Sequence, residues 1–186
     1  MNVLIIGAHP DDECLGVGGT ESRLAREMYH IEHLILDNGR GDSLDQRFDS
    51  VPIQDFVTRI ERVVAEVSPS IVFTHFLHDL NRDHQVVAEA TMVACRPLSG
   101  VQTIFSYETP GGAGVSILPF KPDTYFALTE ADMEWKKKTM SEKYGFELRE
   151  SPHPRSLDGI EYLARLRGSE IFTNFAEAFI TIKNIK

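Results

Sequence analysis

The run Val3-Leu4-Ile5-Ile6 holds no polar residue, and it gives way through Gly7-Ala8 to His9-Pro10-Asp11-Asp12-Glu13. An apolar stretch this short, closed by turn residues, is a buried strand. A second such run, Ile71-Val72-Phe73-Thr74, follows a helix broken by Ser68-Pro69-Ser70. Strands are predicted at 3–8, 31–36, 71–74, 103–107, 125–128 and 178–182. Helices are predicted at 13–29, with Leu15, Leu24, Ala25 and Met28 inward, and at 53–67, with Phe56, Ile60, Val63, Val64 and Val67 inward. Further helices fall at 86–95, 130–144 and 156–167. This alternation specifies an α/β three-layer sandwich on a mostly parallel sheet.

At 186 residues the chain is one domain, with apolar and charged contents of 42% and 25% that suit a globular protein. A net charge of −9 argues against a nucleic-acid or anionic-membrane partner. Two cysteines, Cys14 and Cys95, and no signal peptide point to a reducing cytoplasm. No apolar run is long enough for membrane insertion.

Two predicted loops follow strands and can meet at the carboxyl edge of the sheet, where open α/β sheets bind ligands. The first carries His9, Asp11 and Asp12; the second, residues 75–84, carries His75, His78, Asp79, Asn81, Asp83 and His84. Four of the seven histidines fall in these two segments. Imidazole and carboxylate groups so gathered suit a catalytic zinc ion, which takes three protein ligands and keeps one position for water.

Ala8-His9-Pro10-Asp11-Asp12-Glu13 with Asn81-Arg82-Asp83-His84 resembles the zinc-dependent N-deacetylases of the PIG-L/LmbE-like family. Weaker likeness runs through Asp45-Gln46-Arg47-Phe48-Asp49, His153-Pro154-Arg155-Ser156 and Ala176-Glu177-Ala178-Phe179, nearly the whole chain. The resemblance implies a Rossmann-like fold and a metal-dependent hydrolase that removes an N-acetyl or other N-acyl group from an amino sugar or glycoconjugate. It makes His9, Asp12 and His84 ligands of Zn2+, with Fe2+ able to occupy the same set. Asp11 becomes the general base and then the acid for the leaving amine. Asp83 becomes an orienting partner of His84 or of another ligand. Arg47, His153, Arg155 and Glu177 become candidate substrate contacts in a cleft between loops 38–50, 78–84, 109–116 and 151–156. Self-association into a homo-oligomer stays open.

Two positions depart from the family. Asn81 stands where relatives carry a histidine that stabilises the oxyanion; Asn81 can still donate a hydrogen bond, and His78 or His153 are the other candidates for that task. Asp37-Asn38-Gly39 also runs almost directly into the Asp45–Asp49 segment, where relatives have an extra helix and strand. Plainer roles stand beside these. Asp11 can cap a helix, Glu13 can compensate a helix N-terminus, and Arg155 can pair with an acidic group. Glu177 can be a buried structural carboxylate, His75 a strand-end residue satisfied by backbone, and Cys14 a small buried residue. Two rival functions remain: a catalytically silent sugar-binding relative, and a nucleotide-binding Rossmann module. The second draws on Gly16-Val17-Gly18-Gly19, but these glycines fall inside the predicted helix rather than in the turn before it.

Overall fold

The computed structural model describes residues 1–36, 47–112 and 118–185. Strand β1 (Asn2–Gly7) is followed by α1 (Asp12–Arg26) and β2 (His30–Ile35), then α2 (Ile53–Val67) and β3 (Ile71–His75). Helix α3 (Arg82–Ala94) leads to β4 (Thr103–Tyr107) and β5 (Thr124–Leu128). Helices α4 (Glu130–Lys143) and α5 (Leu157–Ser169) precede the long last strand β6 (Phe175–Asn184). The sheet order is β2-β1-β3-β4-β6-β5. Strands β2, β1, β3 and β4 pair in parallel, and β6 is antiparallel to both neighbours. The fold is thus a Rossmann-like three-layer sandwich with a mostly parallel sheet.

Val3, Leu4, Ile5 and Ile6 have no exposed surface because β1 lies inside the sheet and is covered on both faces. Leu4 and Ile6 join Val72, Ile104 and the inner faces of α2 and α3. Val3 and Ile5 join Phe73, Phe105, Val17 and Leu24 on the other face. Each large apolar side chain so enclosed contributes about 1.5–3 kcal/mol. Chain order reverses around β1, with β2 on one side and β3 on the other, so a crevice opens beyond Gly7 and His75.

Three expectations shift. Helix α1 ends at Arg26, three residues early, because Met28 takes φ 65° and turns the chain into β2; Met28 and Ala25 are exposed, not inward. Helix α3 begins at Arg82, four residues early, because the Asn81 side chain accepts the Asp83 N–H at 2.9 Å as an N-cap. His84 therefore lies in the first helical turn rather than in a loop. Residues 37–46, which hold the predicted Asn38-Gly39 turn and most of the shortened middle region, lie outside the described residues, as does the end of the 109–116 loop.

Helix α1 carries its glycines for close approach to the sheet. A Cβ on Gly16 would fall 2.2 Å from the fully buried ring of Tyr107, whose hydroxyl donates to Ile6 O at 2.8 Å. Gly16→Ala is therefore expected to destabilise the protein by about 1–3 kcal/mol in urea denaturation, although alanine favours a helix. Gly18→Ala, whose Cβ meets the Cys14 and Lys136 side chains at 3.1 and 3.2 Å, should cost far less. With these glycines used for packing, the feature that suggested a nucleotide-binding module has a structural explanation.

Candidate metal centre

The carboxyl ends of β1 and β3 bring His9, Asp12 and His84 together, with one ligand atom from each within 4.8 Å of the others. Asp12 Oδ2 accepts the backbone N–H groups of Ala8 (3.1 Å) and His9 (2.7 Å), which pins the carboxylate under the β1–α1 turn. Its other oxygen, Oδ1, is buried without a hydrogen-bond partner among the described residues and lies 3.4 Å from His84 Nε2. His9 Nδ1 is 3.4 Å from Asp12 Oδ2, while His9 Nε2 lies 3.0 Å from Asp83 Oδ2. His84 Nδ1 is 3.3 Å from Asp79 Oδ2. Each imidazole thus has one nitrogen beside an orienting carboxylate and the other turned toward Asp12. Second carboxylates of this kind fix ring orientation and raise ligand basicity.

The electrostatics fit a cation. Burial alone would raise the Asp12 carboxyl, but the neighbouring charge of His84 holds it well below the usual carboxylate range. Burial opposes protonation of His84, yet the nearby carboxylates of Asp12 and Asp79 push it up to about 10. Asp12 therefore demands a positive partner, and a proton on His84 or a divalent cation among the three side chains supplies it. The donor set of two imidazoles and one carboxylate is one that zinc and ferrous iron both accept. His75, stacked on His84 at 4.0 Å, stays outside the set. Its Nε2 accepts the Ala8 N–H at 3.0 Å, and burial, then the His84 charge, lowers it to about 4, so it is neutral.

Asp11 stands beside this cluster without joining it. Its side chain makes no N-cap hydrogen bond to α1. Oδ2 instead accepts from Arg155 Nη2 at 2.9 Å, and Oδ1 is buried with no partner among the described residues. Burial first, then the charge of Asp12, raises the carboxyl to about 7, with Arg155 pulling the other way. Arg155 also reaches Glu147 at 3.7 Å, so its contacts are the acidic pairings rather than an open anion site.

A groove of about 420 Å³ opens over His84, walled by Asn81, Thr109, Pro110, His153 and Arg155. His153 accepts the Arg155 N–H through Nδ1. A larger hollow near Val64, Ala94 and Leu98 adjoins none of the clustered donors.

Three sequence-predicted residues fall elsewhere. His78 is exposed, with its ring edge-on to Phe76 at 5.5 Å, and does not line the groove. Arg47 is exposed at the head of the Phe48–Ser50 turn, not on the groove wall. Glu177 is a structural carboxylate: it accepts from Gly19 N, Thr20 N and Lys136 Nζ, tying α1 and α4 to β6. Asp83 faces His9 rather than its neighbour His84, because the first turn of α3 aims successive side chains in different directions. Asp79 was the missed residue; its signal was a carboxylate in the histidine-rich segment, five positions before His84. Cys14 is buried, and burial drives its thiol far above the usual range, which removes it as a nucleophile.

No family model matches the chain. It is 28% identical over 159 aligned residues to the uncharacterized deacetylase YaiS of Escherichia coli, covering 69% of this chain and 82% of that protein. Among solved structures, the N,N'-diacetylchitobiose deacetylase of Pyrococcus horikoshii superposes with TM-score 0.74 at 15% identity, over 98% of this chain and 84% of that one. A deacetylase of the teicoplanin biosynthetic pathway gives TM-score 0.74 at 14% identity, over 99% of each chain. The 4-carboxy-2-hydroxymuconate hydratase GalB of Pseudomonas putida gives 0.67 at 17%, over 97% and 95%. Deacetylases and a hydratase therefore share this fold, and the reaction must be argued from the site.

Proposed function

We propose that this protein is a metal-dependent hydrolase that removes an N-acetyl or other N-acyl group from an amino sugar or glycoconjugate. The observation that carries it is the convergence of His9, Asp12 and His84 with the buried, non-ligating carboxyl of Asp11 alongside. The deacetylase relative and the fold shared with two named deacetylases, one of N,N'-diacetylchitobiose, support the same reading.

His9, Asp12 and His84 would hold the cation, zinc or ferrous iron. When bound, such an ion polarises an amide carbonyl and lowers the pKa of water to about 7. Asp11 takes a proton from the water that attacks the amide carbon, then returns it to the departing nitrogen as the C–N bond breaks. Arg155 fixes Asp11 Oδ2 and leaves Oδ1 for that transfer. Asn81 and His153, both on the groove wall, are the proposed donors to the tetrahedral oxyanion. The Asn81 carbonyl oxygen is spent on capping α3, so its amide nitrogen would serve. Asp83 and Asp79 hold the rings of His9 and His84.

Acetate release from a panel of N-acetylated sugars tests the reading, with hydration of a conjugated enol acid run in parallel. Metal-dependent acetate release is expected; hydration of the olefin without amide hydrolysis would assign the site to the other chemistry. Asp83→Ala should weaken metal binding about 10–100-fold in a competition titration with a chromogenic chelator, since it removes the orienting contact to His9 along with the Phe48 N–H bond at 2.8 Å.

A further inference from the structure

Asp11 carries a backbone conformation that side-chain-bearing residues resist. Its φ of 113° and ψ of −26° lie in the half of the map that favours glycine, occupied by other residues only where the surroundings enforce it. The enforcing contacts are visible. The Asp11 N–H donates to Glu13 Oε2 at 3.2 Å, and Glu13 Oε1 accepts a hydrogen bond from the Tyr144 hydroxyl. Glu13 is 3% exposed in the first turn of α1, and Tyr144 closes α4. In a capping box the third helical residue receives the N-cap amide; here the second, Glu13, does so, with its far oxygen bonded to Tyr144. From the other side, Arg155 grips the Asp11 side chain and reaches Glu147, so the chain from Tyr144 to Arg155 closes over Asp11 on two flanks.

We propose that Glu13 and Tyr144 are positioning residues for Asp11. Their hydrogen bond locks the Asp11 peptide in its unfavourable conformation, which keeps that carboxyl beside the metal ligands but out of their set. This inference rests on the deacetylase reading for its kinetic consequence, though not for its structural one. The three metal ligands are held by their own contacts with Ala8, Asp79 and Asp83, so the clamp acts on Asp11 alone.

Tyr144→Phe deletes a single oxygen. It is expected to lower kcat about tenfold, the scale of a small misplacement of a reacting group, while KM and bound metal stay within about twofold of wild type. Glu13→Ala should lose at least as much, and Glu13→Gln should recover part of it because an amide oxygen can still accept from Asp11. A crystal structure of Tyr144→Phe should show Asp11 φ moved out of the positive region. Wild-type kcat in both Tyr144→Phe and Glu13→Ala overturns the proposal, as does a loss confined to KM or metal content. Retention of the positive φ in the Tyr144→Phe structure overturns it whatever the substrate is. Absence of amide hydrolysis in the wild type would count against the deacetylase reading, and the φ measurement would still decide the clamp.

Discussion

Replacing Asp11 by Ala is expected to lower kcat by about 10²–10⁴-fold, the usual contribution of a positioned acid–base group, while bound metal stays at the wild-type level. The expectation follows from where the carboxyl stands. Asp11 is adjacent in sequence to Asp12, yet it falls outside the His9, Asp12 and His84 group, and its Oδ2 is engaged by Arg155. The two aspartates have been pushed apart by their surroundings. Asp12 is held as a carboxylate by the charge of His84, whereas burial and the Asp12 charge raise Asp11 to about 7. Groups so separated divide ligand and proton-transfer roles between them. A base works only when deprotonated, so kcat/KM should rise with pH as Asp11 loses its proton. A cation in the adjacent site pulls that pKa down, placing the rising limb at or below pH 7. A flat profile between pH 4 and pH 7 would remove Asp11 from that role, and parallel loss of metal in Asp11→Ala would make it a ligand.

His84→Ala is expected to abolish metal binding and turnover together. Losing the Lewis acid forfeits about 4 kcal/mol of transition-state stabilisation, roughly three factors of ten in rate. The apo protein should also lose about 3 kcal/mol of stability, because Asp12 is left as a buried carboxylate without its strongest positive neighbour. Added zinc should stabilise wild-type protein against heat by mass action and should not stabilise His84→Ala. Equal thermal shifts in the two proteins would place the cation elsewhere.

Much of this is legible in the amino-acid sequence. The run Val3–Ile6 and its counterpart at Ile71 identified central strands because apolar residues on both faces require cover on both. The bounds of α2 were readable from its phenylalanine and isoleucine spacing and from Ser68-Pro69. The meeting of the two loops was legible because strand ends in a parallel sheet share one edge, whereas the choice of His9, Asp12 and His84 within them came from the resemblance to the deacetylase family. What resisted was everything set by contact between distant segments. Arg155 meets Asp11, and Tyr144 meets Glu13, across most of the chain. Neither pairing has a local spacing signal. Glu177 stands in the sequence as a carboxylate in an apolar stretch, but only tertiary packing brings Lys136 and two α1 amides to consume it. The insertion of β6 between β4 and β5 likewise depends on tertiary packing, since alternation alone is silent on strand order. Asn81 illustrates a conflict of roles: its capping preference moved the start of α3 and carried His84 from a loop onto a helix.

The most direct measurement is a titration of metal-free protein with zinc or ferrous iron while acetate release is followed from a competent N-acetylated sugar. No turnover is expected at zero metal, then a linear rise that breaks at one equivalent per chain, with no rise at all in His84→Ala. Full turnover by protein stripped of metal would contradict the metal-dependent reading.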